Sequence, residues 1–149
     1  RGLGDVYKRQ TMANLLEDLA FIRELQPQMI GIGPFIPHHA TPFKNYQAGT
    51  PERTLTLLSV LRLMLPRVLL PATTALGTIV PNGRELGILA GANVVMPNLS
   101  PADVRQNYLL YDNKLCSGAE AAEAKNDLAA RLHSISYEIA EGRGDYKES

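Results

Sequence analysis

Three short runs of this chain are apolar at consecutive positions rather than at alternate ones, and this restricts the fold more than any other feature. They are Met29 to Pro37, Val68 to Ala75 and Asn93 to Pro97. A strand with one face in water alternates apolar and polar residues, whereas a strand covered on both faces has no need to. The segments between the runs carry a different period. Leu15, Leu16, Leu19, Ile22 and Leu25 recur at three- and four-residue spacing and predict an amphipathic helix that Pro27 ends. Thr50-Pro51 supplies a capping hydroxyl followed by proline at the first helical position, and Leu55, Leu58, Leu61 and Leu65 continue a second helix to Pro66. Asn82 and Glu85, three apart, suggest a capping box that opens a helix over Arg84 to Ala90, with Gly91 closing it. Ser100-Pro101 with Asp103 begins another, carrying Val104, Tyr108 and Tyr111. A helix from Glu120 to His133 and a short strand at Tyr137 to Ile139 complete the prediction.

One helix followed by three strand–helix units predicts an α/β fold with a parallel sheet covered by helices. A barrel of eight such units needs about 250 residues, and this chain has 149. Three units are a segment of such a barrel or an open doubly wound sheet.

Composition narrows the function. Apolar residues make up 45% and charged residues 20%, as in a globular domain in water. Fifteen Lys and Arg balance fifteen Asp and Glu with no basic block, so neither nucleic acid nor an anionic membrane is an expected partner. Arg62, Pro66 and Arg67 break the longest apolar stretches below the length of a membrane span, and the start has no apolar signal region. The single cysteine, Cys116, allows no internal disulfide, and a reduced cytoplasmic setting is the expectation. Residues Arg1 to Gln10 resemble a translated sequencing-adaptor tail. Residues 1–10 are therefore set apart from the fold, leaving 11–149 as the domain and implying that the natural protein continues upstream.

Parallel strand–helix folds gather their active sites at the C-terminal ends of the strands. Here those ends read Gly33-Pro34-Phe35-Ile36-Pro37-His38, Pro71-Ala72-Thr73-Thr74-Ala75-Leu76-Gly77-Thr78 and Met96-Pro97-Asn98-Leu99-Ser100. In the middle one, two hydroxyls and the N–H groups of a Gly-containing turn before a helix suit a carboxylate or another anion. A role in closing the turn accounts for Thr73 and Thr74 equally well. His38-His39 has no third ligand nearby and reads as loop, Arg143-Gly144-Asp145 as a terminal turn, and the leucines of Leu55 to Leu65 as core, under two heptads long.

Taken together, these strand ends, with Gly83-Arg84-Glu85, Gly91 to Asn98, Tyr108 and Tyr111, resemble those of the HydE-type FeFe-hydrogenase maturases, radical S-adenosylmethionine (SAM) enzymes with a biotin synthase-like barrel. The resemblance runs from about Leu15 to the end of the chain. It implies the C-terminal strand–helix units of a (β/α)8 TIM-type barrel, incomplete here. It also implies a full-length enzyme in which a 4Fe-4S cluster cleaves SAM to a radical during assembly of the dithiolate-bridged di-iron part of the hydrogenase H-cluster. A small-molecule or iron-complex substrate and the other hydrogenase maturation proteins are the implied partners. By position in the family's motifs, Thr73, Thr74 and Ala75 would bind substrate or an anion. Met29, Pro34, Met96, Tyr108 and Tyr111 would enclose the SAM and substrate cavity. No catalytic residue and no metal ligand falls in this chain, because the family's cluster cysteines lie upstream. Some members carry an auxiliary cluster near Cys116; with no second cysteine here, that thiol reads as idle. Methylornithine synthase or biotin synthase-like barrels are the nearest alternative, and a non-catalytic anion-binding module is the alternative of another kind. Iron–sulfur clusters take four thiolates, or three with a further ligand. Anaerobic reconstitution of this chain is therefore expected to yield no stoichiometric cluster in iron and sulfide assays; a four-iron cluster bound within one monomer would contradict the reading.

Overall fold

The computed structural model describes residues 11–97 and 121–146. The first predicted helix is α1, Met12–Leu25, capped by Thr11, whose Oγ1 accepts the Asn14 N–H at 3.3 Å. It ends at Gln26, left-handed at φ 50°, ψ 53°, whose N–H returns to the Ile22 carbonyl at 3.1 Å. The second is α2, Pro51–Met64, with Pro51 in its first turn and Thr50 accepting the Arg53 N–H.

The three apolar runs lie side by side, parallel and in chain order. Met29 bridges Leu69. Beyond that bridge, β1 (Pro71–Ala72) pairs with β2 (Val94–Val95), Pro71 opposite Val94 and Ala72 opposite Val95. The Ile30 N–H donates to Leu69 O at 2.9 Å, and the Leu69 N–H to Gln28 O at 3.0 Å. Asn93 enters this ladder with its side chain: its Oδ1 accepts the Leu70 N–H at 2.8 Å while its own N–H donates to Leu70 O. Helix α2 follows the first run. Helices α3 (Thr74–Ile79) and α4 (Gly83–Leu89) follow β1.

The α/β reading holds, and several details differ. The paired strands are shorter than the apolar runs. The ladder stops at Ala72 because Thr73 caps a new helix: its Oγ1 accepts the Leu76 N–H, so Thr74 and Ala75 coil instead of extending. Gly77 inside α3 lowers helix propensity, which is why this segment reads as a turn in the sequence. The capping box is absent. Asn82 makes no side-chain cap, and the Glu85 carboxylate turns to Arg131 instead. The strand expected at Tyr137 to Ile139 does not form. The chain leaves helix α5 (Ala121–His133) through Ser136, left-handed at φ 65°. Ser136 N–H then bonds His133 O, and Tyr137 N–H bonds Leu132 O, a helix-closing turn. The expected helix after Ser100 lies outside the described residues. Those described make a parallel α/β layer and not a closed barrel, since three parallel runs are too few to close one.

The core lies between this sheet and its helices. Ile30 and Leu70 from the strands, Leu58 and Leu61 from α2 and Leu76 from α3 are fully buried, and Leu128 and Leu132 bring α5 onto the same cluster. Each such side chain contributes about 1.5–3 kcal/mol by leaving water. Two glycines allow the close packing. A Cβ on Gly83 would fall on the Leu76 carbonyl and lie 2.9 Å from the Gly77 nitrogen. Gly91, at φ 112°, sits where a Cβ would lie 2.8 Å from that of Arg62. There Arg62 Nε donates to Gly91 O at 2.8 Å and Ser59 Oγ to Ala90 O at 2.9 Å, joining α2 to the end of α4.

Polar contacts fix α5. The Arg131 guanidinium grips both Glu85 oxygens, Nε on Oε1 and Nη2 on Oε2 at 2.9 Å, while Nη2 also donates to Pro81 O at 2.6 Å. Burial of Glu85 pushes its carboxyl up. The Arg131 hydrogen bond, its own backbone N–H and the charges of Arg131 and Arg84 outweigh this and carry it below the usual range. The Glu85 hydrogen bond correspondingly raises Arg131, against the cost of desolvation.

Two outcomes follow for stability. Gly83→Ala is expected to cost about 3 kcal/mol or more, because both obstructing atoms are backbone and cannot turn aside; urea melts measure it. Arg131→Met removes the charged partner and is expected to cost about 2 kcal/mol at pH 7. A depressed folded pKa means that this contribution is present above the unfolded carboxyl value of about 4.3 and is lost as pH falls through the lower folded value. Denaturation midpoints of the wild type and Arg131→Met should therefore converge on acidification below pH 4.

Candidate functional site

The C-terminal ends of the strands form one edge. Counting on from the Met29–Leu69 bridge sets Gly33 level with Thr73, and the residue after the Ala72–Val95 pair sets Met96 level with Thr73 as well. The spacing agrees: a Cβ on Gly33 would lie 2.8 Å from Thr73 Oγ1. Gly33 therefore admits the threonine hydroxyl between the first two strand ends, which a larger residue would prevent. The following loop folds back on its own start, Gly49 N–H donating to Phe35 O at 2.8 Å. Pro34 is buried beneath this return. In the loop itself His38 and His39 stack at 4.4 Å, and His38 Nδ1 accepts the Ala40 N–H at 3.0 Å, which gives His38 a turn-forming role.

Thr73, Thr74 and Ala75 are half-buried at this edge. Thr73 Oγ1 accepts the Leu76 N–H at 3.4 Å and so caps α3. Thr74 Oγ1 accepts from Arg84 Nη2 at 3.4 Å, across α3 from the first turn of α4. The Arg84 stem crosses Gly77, where a Cβ would meet Arg84 Cγ at 3.5 Å. The two hydroxyls thus do take part in local structure, as the turn-closing reading requires. Each also keeps its proton, because a hydroxyl that accepts retains one O–H to donate. Two donors with a guanidinium behind them suit a negatively charged group and would repel a cation.

The strand register sets Met96, half exposed just past β2, level with Thr73, from which Thr74 and Ala75 lead into α3; Pro34 follows Gly33 and packs against Gly49. Met29 stands apart. Its bridge is to Leu69, four residues before Thr73, which at about 3.3 Å per residue places it roughly 13 Å back along the strand. Tyr108 and Tyr111 lie outside the described residues. Gly33 and Arg84 join the edge without having been singled out for it; Gly33 stood within the first apolar run and Arg84 within the Gly83-Arg84-Glu85 segment, but neither spacing reveals what it touches.

Among the described residues no group of three or more His, Cys, Asp or Glu is placed to hold a metal ion, and none of these residues is a cysteine. The described residues therefore offer no donor set that fits an iron–sulfur cluster. A shallow depression lined by His133, Ser136, Tyr137 and Glu138 belongs to the end of α5 and draws nothing from the strand ends. No helix among the described residues is long and apolar enough to cross a membrane.

No family model matches the chain. Among curated proteins it is 50% identical over 107 residues to the FeFe-hydrogenase maturase subunit HydE of Thermotoga maritima, covering 72% of this chain and 31% of that protein. It is 35% identical over 89 residues to the 3-methylornithine synthase of Methanosarcina barkeri, covering 60% of this chain and 25% of that protein. With the 3-methylornithine synthase of Methanosarcina acetivorans it shares 27% over 100 residues, 67% of this chain and 28% of that protein. The chain thus spans between a quarter and a third of the length of the curated relatives it matches. These identities make the chain a relative of the FeFe-hydrogenase maturase subunit HydE and, more distantly, of 3-methylornithine synthase.

Proposed function

We propose that the chain is the substrate-enclosing C-terminal part of a radical SAM enzyme that acts in assembly of the dithiolate-bridged di-iron part of the FeFe-hydrogenase H-cluster. The 50% identity to HydE carries this reading, being well above that to either methylornithine synthase. On this reading the full-length protein closes a TIM-type barrel, and cluster ligands from the remaining chain hold the 4Fe-4S centre. That centre, when bound, supplies the SAM-derived radical; the residues described here contribute no thiolate and stand outside that step. Their part is to bind and enclose. Thr73 and Thr74 donate hydrogen bonds to an anionic group of a small-molecule or iron-complex substrate, beside Ala75. Met29, Pro34, Met96, Tyr108 and Tyr111 wall the SAM and substrate cavity with apolar and aromatic surface. Alone the chain is inactive. Other hydrogenase maturation proteins deliver the substrate or take the product, in the cytoplasm.

Similarity to 3-methylornithine synthase supports a second reading, an amino-acid-modifying barrel of the same superfamily. In both, the hydroxyl pair faces an anion.

The test is made in the full-length enzyme. Thr73→Val with Thr74→Val is expected to raise the KM for substrate in a reconstituted hydrogenase-maturation assay, each lost bond to a charged group weakening binding by about 1.5–3 kcal/mol. Cluster content and SAM binding should stay near wild type. An unchanged KM would remove the threonines from the site. Formation of 3-methylornithine in place of hydrogenase maturation would favour the second reading.

A further inference from the structure

We propose that Arg84 is a positioning residue for Thr74, holding its hydroxyl as a hydrogen-bond donor at the strand-end site and so setting the preference of that site for a carboxylate over a neutral group. The inference rests on the function proposed above and names a residue which that function did not use.

The chemistry is that of donors and acceptors. Arginine donates only, and threonine has one proton to donate and two lone pairs to accept with. Arg84 Nη2 occupies a lone pair of Thr74 Oγ1. A threonine inside a helix can turn its proton back to the carbonyl four residues earlier, as Thr78 does to Thr74 O at 3.0 Å. Thr74 is the first residue of α3 and has no helical carbonyl behind it. With a lone pair held from one side and no helical acceptor on the other, its proton is left for a bound group. An O–H whose oxygen accepts from a cation is polarised into a better donor, and most of all toward a negative acceptor.

Arg84 is itself held in place. It leaves the first turn of α4, where Gly83 packs on the Leu76 carbonyl and Glu85 is gripped by Arg131. Its stem runs over Gly77 in ordinary van der Waals range. The guanidinium therefore starts from a fixed backbone and reaches Thr74 over a surface without a side chain.

Acetate is the probe, with acetamide as its neutral counterpart, and the full-length protein carries 13C-methyl-labelled threonine. Acetate should shift the Thr73 and Thr74 methyl signals while that of Thr54, buried in the core, stays still. Arg84→Met keeps the stem over Gly77 and removes the donor. It is expected to weaken acetate about tenfold and to leave acetamide unchanged, with the Thr54 signal in place. The Thr73 methyl reports on a Thr74→Val background, where Arg84→Met should cost nothing further if Arg84 acts through Thr74. A tenfold loss there too would show an independent effect of charge and overturn the proposal, as would acetate affinity within twofold of wild type in the single variant. Should Arg84→Met displace the Thr54 signal, Arg84→Gln decides by the same criteria. Loss of acetate response in Thr74→Val with none in Arg84→Met sinks this inference and leaves the proposed function standing. No response to acetate in any form, wild type included, counts against both.

Discussion

Everything in this chain is arranged around the buried face of two neighbouring parallel strands. Ile30 and Leu70 are level with one another and fully buried, and the Ile30 N–H is bonded to Leu69 O. Where a strand is buried its polar backbone must be satisfied within the sheet, because an unpaired buried N–H costs about as much as a lost hydrogen bond. The Asn93 side chain meets that need, accepting the Leu70 N–H where the ladder would otherwise end. Helices then cover the buried face: apolar positions of α1, α2 and α3 pack there, and α5 adds Leu128 and Leu132 to the same core.

The first turn of α4 joins structure to site. Three consecutive residues have three tasks there. Gly83 lets α4 approach the backbone of α3, Arg84 reaches Thr74 at the strand ends, and Glu85 anchors α5 through Arg131. None of the three tasks tolerates a neighbour's residue type. A side chain at 83 collides with a carbonyl, and a neutral residue at 85 leaves a guanidinium without its carboxylate. This part of the molecule is thus constrained by packing and by charge together, which a substitution analysis of either kind alone would understate.

The strand edge gathers Gly33, Thr73 and Met96 from runs separated by 40 and 23 residues in the chain. Each threonine hydroxyl serves the backbone or an arginine with one lone pair and retains its proton. Structural and binding roles are therefore compatible in the same two side chains, and choosing between them from spacing alone was never possible. The gap between the Met29 bridge and Thr73 follows from strand geometry in the same way, since residues four apart on one strand are on the same face but distant along it.

What the sequence by itself determined was the period of each segment. Unbroken apolar runs meant parallel strands, although the first is covered on one face only, with Met29 and Gly31 exposed between buried Ile30 and Ile32; three- and four-residue spacing meant helices, and Thr50-Pro51 and Gly91 marked helix ends that the structure reproduces within a residue or two. These features are local, so propensity and capping suffice to read them. Tertiary structure decided what depends on a partner distant in the chain. Glu85 looked like a capping residue until Arg131, 46 residues on, offered a charged fork that a neutral backbone N–H could not match. Thr74 looked like the end of a strand until Thr73 capped a helix. Arg84 stood in the Gly83-Arg84-Glu85 segment, whose spacing does not reveal what its guanidinium touches. Its contact with Thr74 depends on the close approach of α4 to α3 that Gly83 permits.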